Sequence, residues 1–294
     1  MPRILIAGCN GQLGNDCVRV FKDHELLPVD LPELDITSPE SVRSLIATFK
    51  PSVLINCAAY TAVDKAETDI DLCTKVNAEG PAVLAKACAD MNVFLVHVST
   101  DYVFNGERPA PRPWLETDVP EPRTVYGKTK LAGEQAIAAA GCRYAILRTA
   151  WLYGAHGKNF PKTMLRLALA DSARTINVVA DQYGCPTWSL NLAEQIQMIV
   201  EAPTPPVGVF HAVSRGNTTW YGFAAEFLRL MNVPHTLAPC TTADYPTPAK
   251  RPVNSILEDR ALDELGLCKM NDWQTSLARY VAQNRDALIA EARG

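Results

Sequence analysis

The feature that most constrains the fold is a set of three evenly spaced glycines near the amino terminus. Gly8, Gly11 and Gly14 follow the apolar run Arg3–Ala7 directly and precede a stretch, 15–22, that predicts a helix. Such a loop turns tightly off a buried strand, lets a pyrophosphate approach the backbone and packs the helix against the sheet. A glycine triplet alone is often an ordinary turn, but between a first strand and a helix it predicts a dinucleotide-binding site.

Two acids near the end of the second apolar run are candidates for binding the adenosine ribose. Asp30 ends that run, and Asp35 follows shortly after it. An acid about 20 positions beyond the glycine loop usually binds the ribose hydroxyls and repels a 2′-phosphate. The spacing does not choose between the two, and a capping role ahead of Thr37–Pro39 is the competing interpretation for Asp35. Because no arginine follows the second run directly, we expect NADH to be usable.

Apolar runs alternate with helical patterns in the amino-terminal half. The runs at 25–30, 51–56, 93–104 and 143–148 predict buried parallel strands. His97, inside the third of these runs, is interpreted as a core residue. The alternation predicts an α/β fold with a doubly wound Rossmann-type parallel sheet and a smaller mixed α/β substrate-binding lobe at the C-terminal end.

The length of 294 residues allows one large α/β domain with an appended lobe. We expect 1–150 to form the NAD(P)-binding domain, to which late strands and helices of 176–215 also contribute. The remainder, 151–294, should form mainly the substrate-binding lobe and the C-terminal helices.

A tyrosine and a lysine four residues apart stand on the helix predicted after a proline-rich loop. Tyr126 and Lys130 would project from the same helix face. A nearby ammonium favours phenolate and lowers the tyrosine pKa, which makes Tyr126 a candidate proton donor and acceptor. The spacing alone is weak, because it also arises on solvated helices. The triplet Ser99–Asp101 ends the fourth strand, where the Thr100 hydroxyl could hydrogen-bond a carbonyl in front of the cofactor.

Composition excludes several other classes of protein. A net charge of −4 and a pI near 5.8 argue against a nucleic-acid partner, because binding phosphates generally needs a basic face. No apolar run approaches the roughly 20 residues that span a bilayer, so we expect no membrane partner. The nine cysteines are scattered and include no C-x-x-C pair, which favours reduced thiols in a soluble, cytoplasmic protein and predicts no metal ligands.

The ordered set of a glycine loop, a hydroxyl triplet and Tyr-x-x-x-Lys is far more specific than any of its members. It resembles the extended short-chain dehydrogenase/reductase family over essentially the whole chain, and within it the dTDP-4-dehydrorhamnose reductases. The resembling segments are Gly11–Gly14, Asn56–Glu67, Ser99–Phe104, Tyr126–Glu134, Arg148–Gly154, Asp181–Thr187 and Arg251–Ser255. Ala150 and Cys185 stand where this family often has hydroxyl residues, and neither is the expected acid.

This resemblance implies reduction of the C4 ketone of dTDP-4-dehydro-6-deoxy-L-mannose to dTDP-L-rhamnose, with NADPH or NADH as the cofactor. Tyr126 would donate the proton to the C4 oxygen, Lys130 would lower the tyrosine pKa and bind the nicotinamide ribose, and Thr100 would hydrogen-bond the same oxygen. The other cofactor-binding residues would be Gly8, Asn10, Gly11, Gln12, Leu13, Gly14, Asp30, Asp35, Ile36, Ala58, Ala59 and Tyr60. Thr61, Val63, Tyr102 and Trp151 would face the sugar, and Asn159, Arg251 and Asn254 the nucleotide end.

The same resemblance implies a dTDP-sugar as the substrate and a homodimer as the assembly. Some relatives hold a divalent ion such as Mg²⁺ between subunits, but no residue pattern in this sequence supports such a site.

Two alternatives remain open on the sequence. A dehydratase or epimerase shares the fold, but a dehydratase commonly has Asp-Glu after the threonine, whereas Thr100 is followed by Asp101 and Tyr102. A non-catalytic subunit, like the regulatory subunit of methionine adenosyltransferase, also shares this ancestry. The presence of Thr100, Tyr126 and Lys130 together argues against it, although a fold alone does not determine function.

Overall fold

In the computed structural model, which describes residues 2–293, a six-stranded parallel sheet organises the chain. Its strand order is β10-β5-β4-β3-β1-β2, and three two-stranded sheets lie outside it. The strands are β1 Arg3–Ala7, β2 Glu25–Val29, β3 Val53–Asn56, β4 Phe94–Thr100, β5 Tyr144–Thr149, β6 Leu152–Tyr153, β7 Thr175–Val179, β8 Tyr183–Gly184, β9 Thr187–Trp188, β10 Gly208–His211, β11 Thr218–Thr219 and β12 Thr236–Cys240.

Helices connect most of these strands and cover both faces of the main sheet. They are α1 Gln12–Val20, α2 Pro39–Phe49, α3 Val63–Ala66, α4 Ile70–Thr74, α5 Gly80–Met91, α6 Val125–Ala139, α7 Phe160–Ala170, α8 Ser189–Val200, α9 Trp220–Met231, α10 Arg260–Glu264 and α11 Trp273–Arg293. No helix among residues 2–293 is both long and apolar enough to cross a membrane.

The side chains of β1 show how the sheet is buried on both faces. Ile4 and Ile6 point into one apolar core with residues of α1 and α8, and Leu5 and Ala7 point into another with residues of α2, α5 and α6. This alternation follows from the period of two along a strand. Because both faces are covered, the strand is a continuous apolar run, and the predicted doubly wound α/β fold is confirmed.

A separate core lies in the carboxy-terminal part of the chain. Residues of α7, α9 and α11 pack around it, and the parallel pair of β7 and β12 closes one side. Of the segments between 176 and 215, α8 and β10 pack with the main sheet, whereas β7 belongs to this second core.

Residues 71–91 form one continuous helical segment that is not α-helical throughout. A π-helical turn, Lys75–Glu79, separates α4 from α5. Asn77, in this turn, is fully buried and exchanges two hydrogen bonds of 2.9 Å with the backbone of Tyr60. The extra residue of a π-turn aims a side chain away from the regular helix face, and such turns are frequent at functional sites.

Candidate active site

The glycine loop leaves β1 at the centre of the main sheet. Gly8 has φ +79°, and a Cβ there would lie 2.6 Å from the backbone nitrogen of Ala58. A Cβ on Gly14 would lie 2.0 Å from the carbonyl oxygen of Gly8. Both glycines are therefore required by the protein's own packing, since a side chain would collide with backbone atoms.

Gly11 differs from Gly8 and Gly14, because a Cβ at this position would not collide with backbone atoms. A Cβ on Gly11 would meet only the Gly8 oxygen, at 3.3 Å. Gly11 is also the N-cap of α1 and provides no side-chain hydrogen bond, and the first turn of α1 holds no acid. The amides at this helix end can bind an anion, so the loop fits the pyrophosphate of a dinucleotide.

The two candidate acids have distinct environments. Asp30 directly follows β2, and its carboxylate accepts a hydrogen bond from the Asn10 amide at 3.0 Å, which places it against the glycine loop. Asp35 accepts from the Thr37 amide at 2.9 Å and from the Thr37 hydroxyl at 2.7 Å. These two bonds lower the pKa of Asp35. The structure therefore uses Asp35 as the turn cap that the competing interpretation described, and places Asp30 at the loop.

Two of the proposed cofactor contacts have buried side chains. Leu13 lies in the core beneath α1, and Ile36 packs against the helix position of Gly80. Only the backbone of Leu13, at the start of α1, remains for contact with an anion. Gln12 points toward the second core, where its carbonyl oxygen accepts a hydrogen bond of 2.8 Å from Asn159.

The loop after β3 forms the neighbouring edge of the crevice. The side-chain oxygen of Asn56 accepts a hydrogen bond of 3.1 Å from the Ala58 amide. Two residues further on, the Asn77 amide holds the Tyr60 backbone, and the Tyr60 hydroxyl donates to Asp69 at 2.9 Å. The position of 58–60 is thus determined by side chains from β3 and the π-turn, at the carboxyl ends of β1 and β3, where doubly wound sheets bind ligands.

Tyr126 stands in the first turn of α6. Thr124 caps this helix by accepting a hydrogen bond of 3.0 Å from the Gly127 amide. The Tyr126 ring meets the edge of Tyr102, with 5.6 Å between ring centroids. Burial is the largest influence on the Tyr126 phenol and raises its pKa, while a hydrogen bond with Thr100 acts in the opposite direction. In this structure the net direction is therefore opposite to the lowering that the Tyr-Lys spacing predicted.

Lys130 lies one turn along α6 and is 2% exposed. Its amine donates to the carbonyl of Val98 at 2.6 Å and lies 3.3 Å from Nε2 of His97. Within residues 2–293 no carboxylate pairs with it, because Glu134 is engaged with Ser99 and Arg148. Burial lowers the pKa of Lys130 to about 8.

Thr100 ends β4 beside the two residues of α6. Its hydroxyl donates to the Asp101 carboxylate at 2.9 Å and accepts from the Tyr102 amide at 3.2 Å. Burial raises the pKa of Asp101 to about 6. Thr100 must therefore turn its proton away from Asp101 before it can donate to a substrate oxygen.

A cavity of about 760 Å³ opens beside Tyr102. Arg251 lies in its wall, where it donates to the Tyr102 hydroxyl at 3.2 Å and forms an ion pair with Asp64. Gln182 and Trp220 also line this cavity and are hydrogen-bonded to each other at 3.2 Å. The cavity combines apolar walls with a cation, as a site for an anionic aromatic ligand requires.

Trp151 adopts φ +47°, which is rare for a bulky residue. Its indole stacks on Trp220 with 3.5 Å between ring centroids and donates to the Ser255 hydroxyl at 3.0 Å. A Cβ on Gly184 would come within 2.3 Å of the Trp151 ring. Trp220 lines the cavity and Trp151 does not, so Trp151 supports Trp220 from behind.

Two of the predicted nucleotide contacts are not brought into this cavity. Asn254 is fully buried, and its amide donates to the carbonyls of Arg108 and Arg112, at 3.1 and 2.8 Å, while its oxygen accepts from Ile256. Asn159 caps α7 and bonds to Gln12. The NH₂ groups of both amides are already hydrogen-bonded to protein acceptors, and neither residue lines the cavity. Of the residues predicted to face the sugar, Thr61 is exposed and Val63 begins α3.

Two buried polar residues near the site have partners that the sequence did not identify. His97 is a buried core residue, as expected, and its ring lies between Asn56 and Lys130. Glu134 was quoted only as part of a motif, and it joins α6 to β4 and β5 through Ser99 and Arg148. The signal that could have found them is a polar residue inside an apolar run, because such a residue must find a partner.

Asp259, Asp263 and Cys268 are close enough together to hold a metal ion. However, Arg215 is ion-paired with Asp263, and the Cys268 thiol donates to Asp259 at 2.7 Å. The Arg215 guanidinium already offsets the negative charge of the aspartates, and none of these residues lines the cavity.

Comparison with known proteins places the whole chain in one family. Residues 2–285 match the family described as the RmlD substrate binding domain. A dTDP-4-dehydrorhamnose reductase of Aggregatibacter actinomycetemcomitans is 41% identical over 291 residues, covering 94% of this chain and 97% of that protein. A Streptomyces antibioticus protein, named a probable dTDP-4,6-dihydroxy-2-methyloxan-3-one 4-ketoreductase, is 41% identical over 279 residues, covering 94% and 93%.

A solved structure is similarly close. The dTDP-4-dehydrorhamnose reductase of Bacillus anthracis str. Ames, in complex with NADP, superposes with a TM-score of 0.91 at 36% identity. The match covers 96% of this chain and 99% of that one. These similarities confirm the resemblance that the sequence motifs indicated.

Proposed function

The chain belongs to the RmlD substrate binding domain family, and from this premise we propose that it reduces the C4 ketone of dTDP-4-dehydrorhamnose to dTDP-L-rhamnose with NADPH or NADH. It is thus an oxidoreductase, and its product is a nucleotide sugar. Reduction of a ketone to an alcohol needs a hydride at carbon and a proton at oxygen. When bound, the nicotinamide cofactor supplies the hydride.

One observation carries the proposal. Contacts run without a break from the glycine loop to the cavity: Gly8 touches Ala58, Asn56 binds Ala58 and His97, His97 meets Lys130, and Tyr126 on the same helix meets Tyr102 in the cavity wall. A cofactor held by the loop and a sugar nucleotide held in the cavity would therefore both lie beside the phenol of Tyr126.

The roles of the site residues follow from their positions. Tyr126 donates the proton to the C4 oxygen, and Lys130 binds the nicotinamide ribose and favours the phenolate that remains. Thr100 hydrogen-bonds the same oxygen once its hydroxyl turns from Asp101. Asp30, against the glycine loop, binds the adenosine ribose.

Arg251 and Trp220 give the cavity its selectivity for the nucleotide. Arg251 and Arg174 are the cations in the cavity wall, and the Arg251 guanidinium, which Asp64 holds in place, meets the diphosphate. The Trp220 indole offers an aromatic surface for the base. Tyr102 joins this nucleotide end to the catalytic end, since it contacts both Arg251 and Tyr126.

A second candidate substrate is favoured by one observation. The Streptomyces antibioticus relative, whose printed name is that of a 4-ketoreductase for a different dTDP-sugar, is as similar in identity as the rhamnose-forming relative. Both names describe reduction of a 4-keto group, so the two candidates share the acid, the cofactor and the nucleotide and differ only in the sugar.

The test is an assay of purified protein with NADPH or NADH and each dTDP-4-ketosugar, following absorbance of the reduced nicotinamide. We expect turnover with dTDP-4-dehydrorhamnose, and a Tyr126→Phe variant that loses 10²- to 10⁴-fold in kcat, roughly what a positioned acid contributes, while binding NADPH as the wild type does. No oxidation by the folded wild-type protein would favour the regulatory alternative. Unchanged turnover in Tyr126→Phe would refute the role of the phenol.

The proposal includes a cytoplasmic enzyme that acts as a homodimer. All nine cysteines are free thiols, which agrees with a reducing compartment. The dimer rests on the family resemblance, and sedimentation equilibrium of the purified protein would decide it.

A further inference from the structure

Lys130 is joined to two buried residues, Asn56 and His97, that the reaction described above does not use. Asn56 ends β3, His97 lies in the middle of β4, and Lys130 reaches them from α6. Nδ2 of Asn56 lies 3.0 Å from Nδ1 of His97, and Nε2 of His97 lies 3.3 Å from Nζ of Lys130. Each of the three side chains is at most 2% exposed, so water does not compete for these contacts.

The orientation of Asn56 determines which nitrogen of His97 carries the proton. The Asn56 oxygen accepts from the Ala58 amide, whose only role is donor, and this leaves the NH₂ group facing His97. Nδ1 must then be the acceptor. An imidazole with an unprotonated Nδ1 is neutral and has its hydrogen on Nε2. Burial also lowers the pKa of His97 well below its usual value.

The Nε2 hydrogen of His97 points at the Lys130 amine. A hydrogen bond needs one donor and one acceptor, and an ammonium has no lone pair to accept with. The amine accepts from Nε2 only as NH₂, and it then still donates to the Val98 carbonyl. An ammonium would instead bring two N–H groups together in a space closed to water.

We propose that His97, held in its Nε2–H tautomer by Asn56, is a positioning residue that favours the unprotonated amine of Lys130 in the free enzyme, so that cofactor binding takes up one proton from solvent at any pH where that amine is unprotonated. The step is Lys–NH₂ plus H⁺ giving Lys–NH₃⁺. The inference rests on the proposed function, in which Lys130 meets the nicotinamide ribose, whose hydroxyl oxygens provide the acceptors that an ammonium needs.

The other titratable groups around Lys130 do not favour its unprotonated amine. Glu134 favours the ammonium, but its charge is shared with Arg148 in a buried ion pair. The two nearby thiols also favour the ammonium only when ionised. Besides His97 on β4, the groups that act on the Lys130 amine are Glu134 on α6, Cys73 on α4 and Cys57 after β3.

The first experiment uses the free enzyme. Nitrogen-15 spectra of histidine-labelled protein, with His97→Gln to assign the signal, should show the Nε2–H tautomer from pH 6 to 9. Carbon-13 spectra of lysine-labelled protein, assigned with Lys130→Arg, should give Lys130 a pKa at or below about 8. An Nδ1–H tautomer, an imidazolium, or a Lys130 pKa near its ordinary value of about 10.4 would overturn the proposal.

The Asn56→Asp variant distinguishes the effect of the His97 tautomer on the Lys130 pKa from the effect of burial. Its carboxylate would accept from both Ala58 and Nδ1 of His97, which moves the histidine proton to Nδ1 and turns Nε2 into an acceptor for the ammonium. We expect the Lys130 pKa to rise by at least one unit. Asn77→Asp is the matched control, because it adds a buried charge near α6 without contacting His97, and should raise that pKa less. Equal rises of the Lys130 pKa in both variants would mean that the added negative charge, and not the His97 tautomer, raises it.

The second experiment measures the proton taken up on cofactor binding. Calorimetric titration with NADPH in two buffers of different ionisation enthalpy should show uptake that approaches one proton per site above the free Lys130 pKa, and Kd should rise about tenfold per pH unit there. Binding without uptake would refute the inference. If NADPH does not bind at all, the proposed function fails, whereas the spectra of the free enzyme still decide the state of Lys130.

Discussion

Gly11 lacks a side chain for a different reason from Gly8 and Gly14. Gly8 and Gly14 have no room for a Cβ because backbone atoms lie within 2.6 and 2.0 Å of where it would be. At Gly11 the nearest atom is 3.3 Å away, which a small backbone shift can accommodate. The first two glycines therefore serve the fold, and the third is left to serve a ligand.

This difference predicts opposite outcomes for two alanine variants. Gly11→Ala should fold with nearly unchanged stability and bind NADPH at least tenfold more weakly, because its methyl group occupies the approach of the pyrophosphate, an effect on the order of 1.4 kcal/mol. Gly14→Ala should lose about 1–3 kcal/mol of stability through overpacking. Urea unfolding and NADPH titration measure the two quantities. Equal NADPH affinity in Gly11→Ala would remove the assignment of the phosphate loop.

At the scale of secondary structure elements, one buried ion pair sets the position of α6. Glu134 accepts from Nε and Nη2 of Arg148 on β5, at 3.0 and 2.7 Å, and also from the Ser99 hydroxyl on β4. Both side chains of the pair are 5% exposed. Since Tyr126 and Lys130 stand on the same helix, this pair fixes the helix that presents them to the crevice.

Removing one partner of such a pair leaves the other charge buried. Glu134→Ala should lower the free energy of unfolding by about 3–5 kcal/mol, the usual cost of breaking a buried ion pair. Asp90→Ala is the matched control, because Asp90 pairs with Lys86 on the surface of α5, where a pair contributes about 0–1 kcal/mol. Denaturant unfolding compares the two variants. Similar losses would mean that the Glu134 pair is no more important than a surface pair.

At the scale of the whole molecule, the proposed cofactor site and the proposed substrate site lie on different parts of the fold. The glycine loop belongs to the main sheet, whereas the cavity is walled largely by residues of the carboxy-terminal part, including β7 and α9. Asp64, at the start of α3, joins the two by holding Arg251 and the Ala249 amide. Loss of a cavity residue should therefore affect one ligand and leave the other alone.

Arg251→Met tests this separation. The KM for the dTDP-ketosugar should rise roughly 10- to 100-fold, because a charged hydrogen-bond partner contributes about 1.5–3 kcal/mol, while the Kd for NADPH stays within about twofold. Steady-state kinetics and NADPH titration give both values. Arg229→Met, on the exposed surface of α9, is the control and should change neither. Parallel loss of both ligands in Arg251→Met would show that the two sites are not independent.

Local patterns accounted for the fold and for the central chemistry. The glycine triplet, the apolar runs and the Tyr126–Lys130 spacing each depend on a few neighbouring residues, and strand and helix periodicity express directly which side chains share a face. Of the residues that resemblance added, Tyr102 and Arg251 lie in the cavity wall. Within the helical segment 71–91, no local pattern predicts the π-turn Lys75–Glu79 or the contact of its Asn77 with Tyr60.

By itself, the amino-acid sequence thus determined the order of elements and singled out the glycine loop, Tyr126 and Lys130 as a candidate site. Only the tertiary structure decided that Asp30 rather than Asp35 contacts that loop, that Asn254 and Asn159 serve the protein, and that His97 meets Lys130. The physical reason is that a buried polar group takes whichever partner the packing of distant segments brings within about 3 Å, and sequence spacing carries no information about that partner.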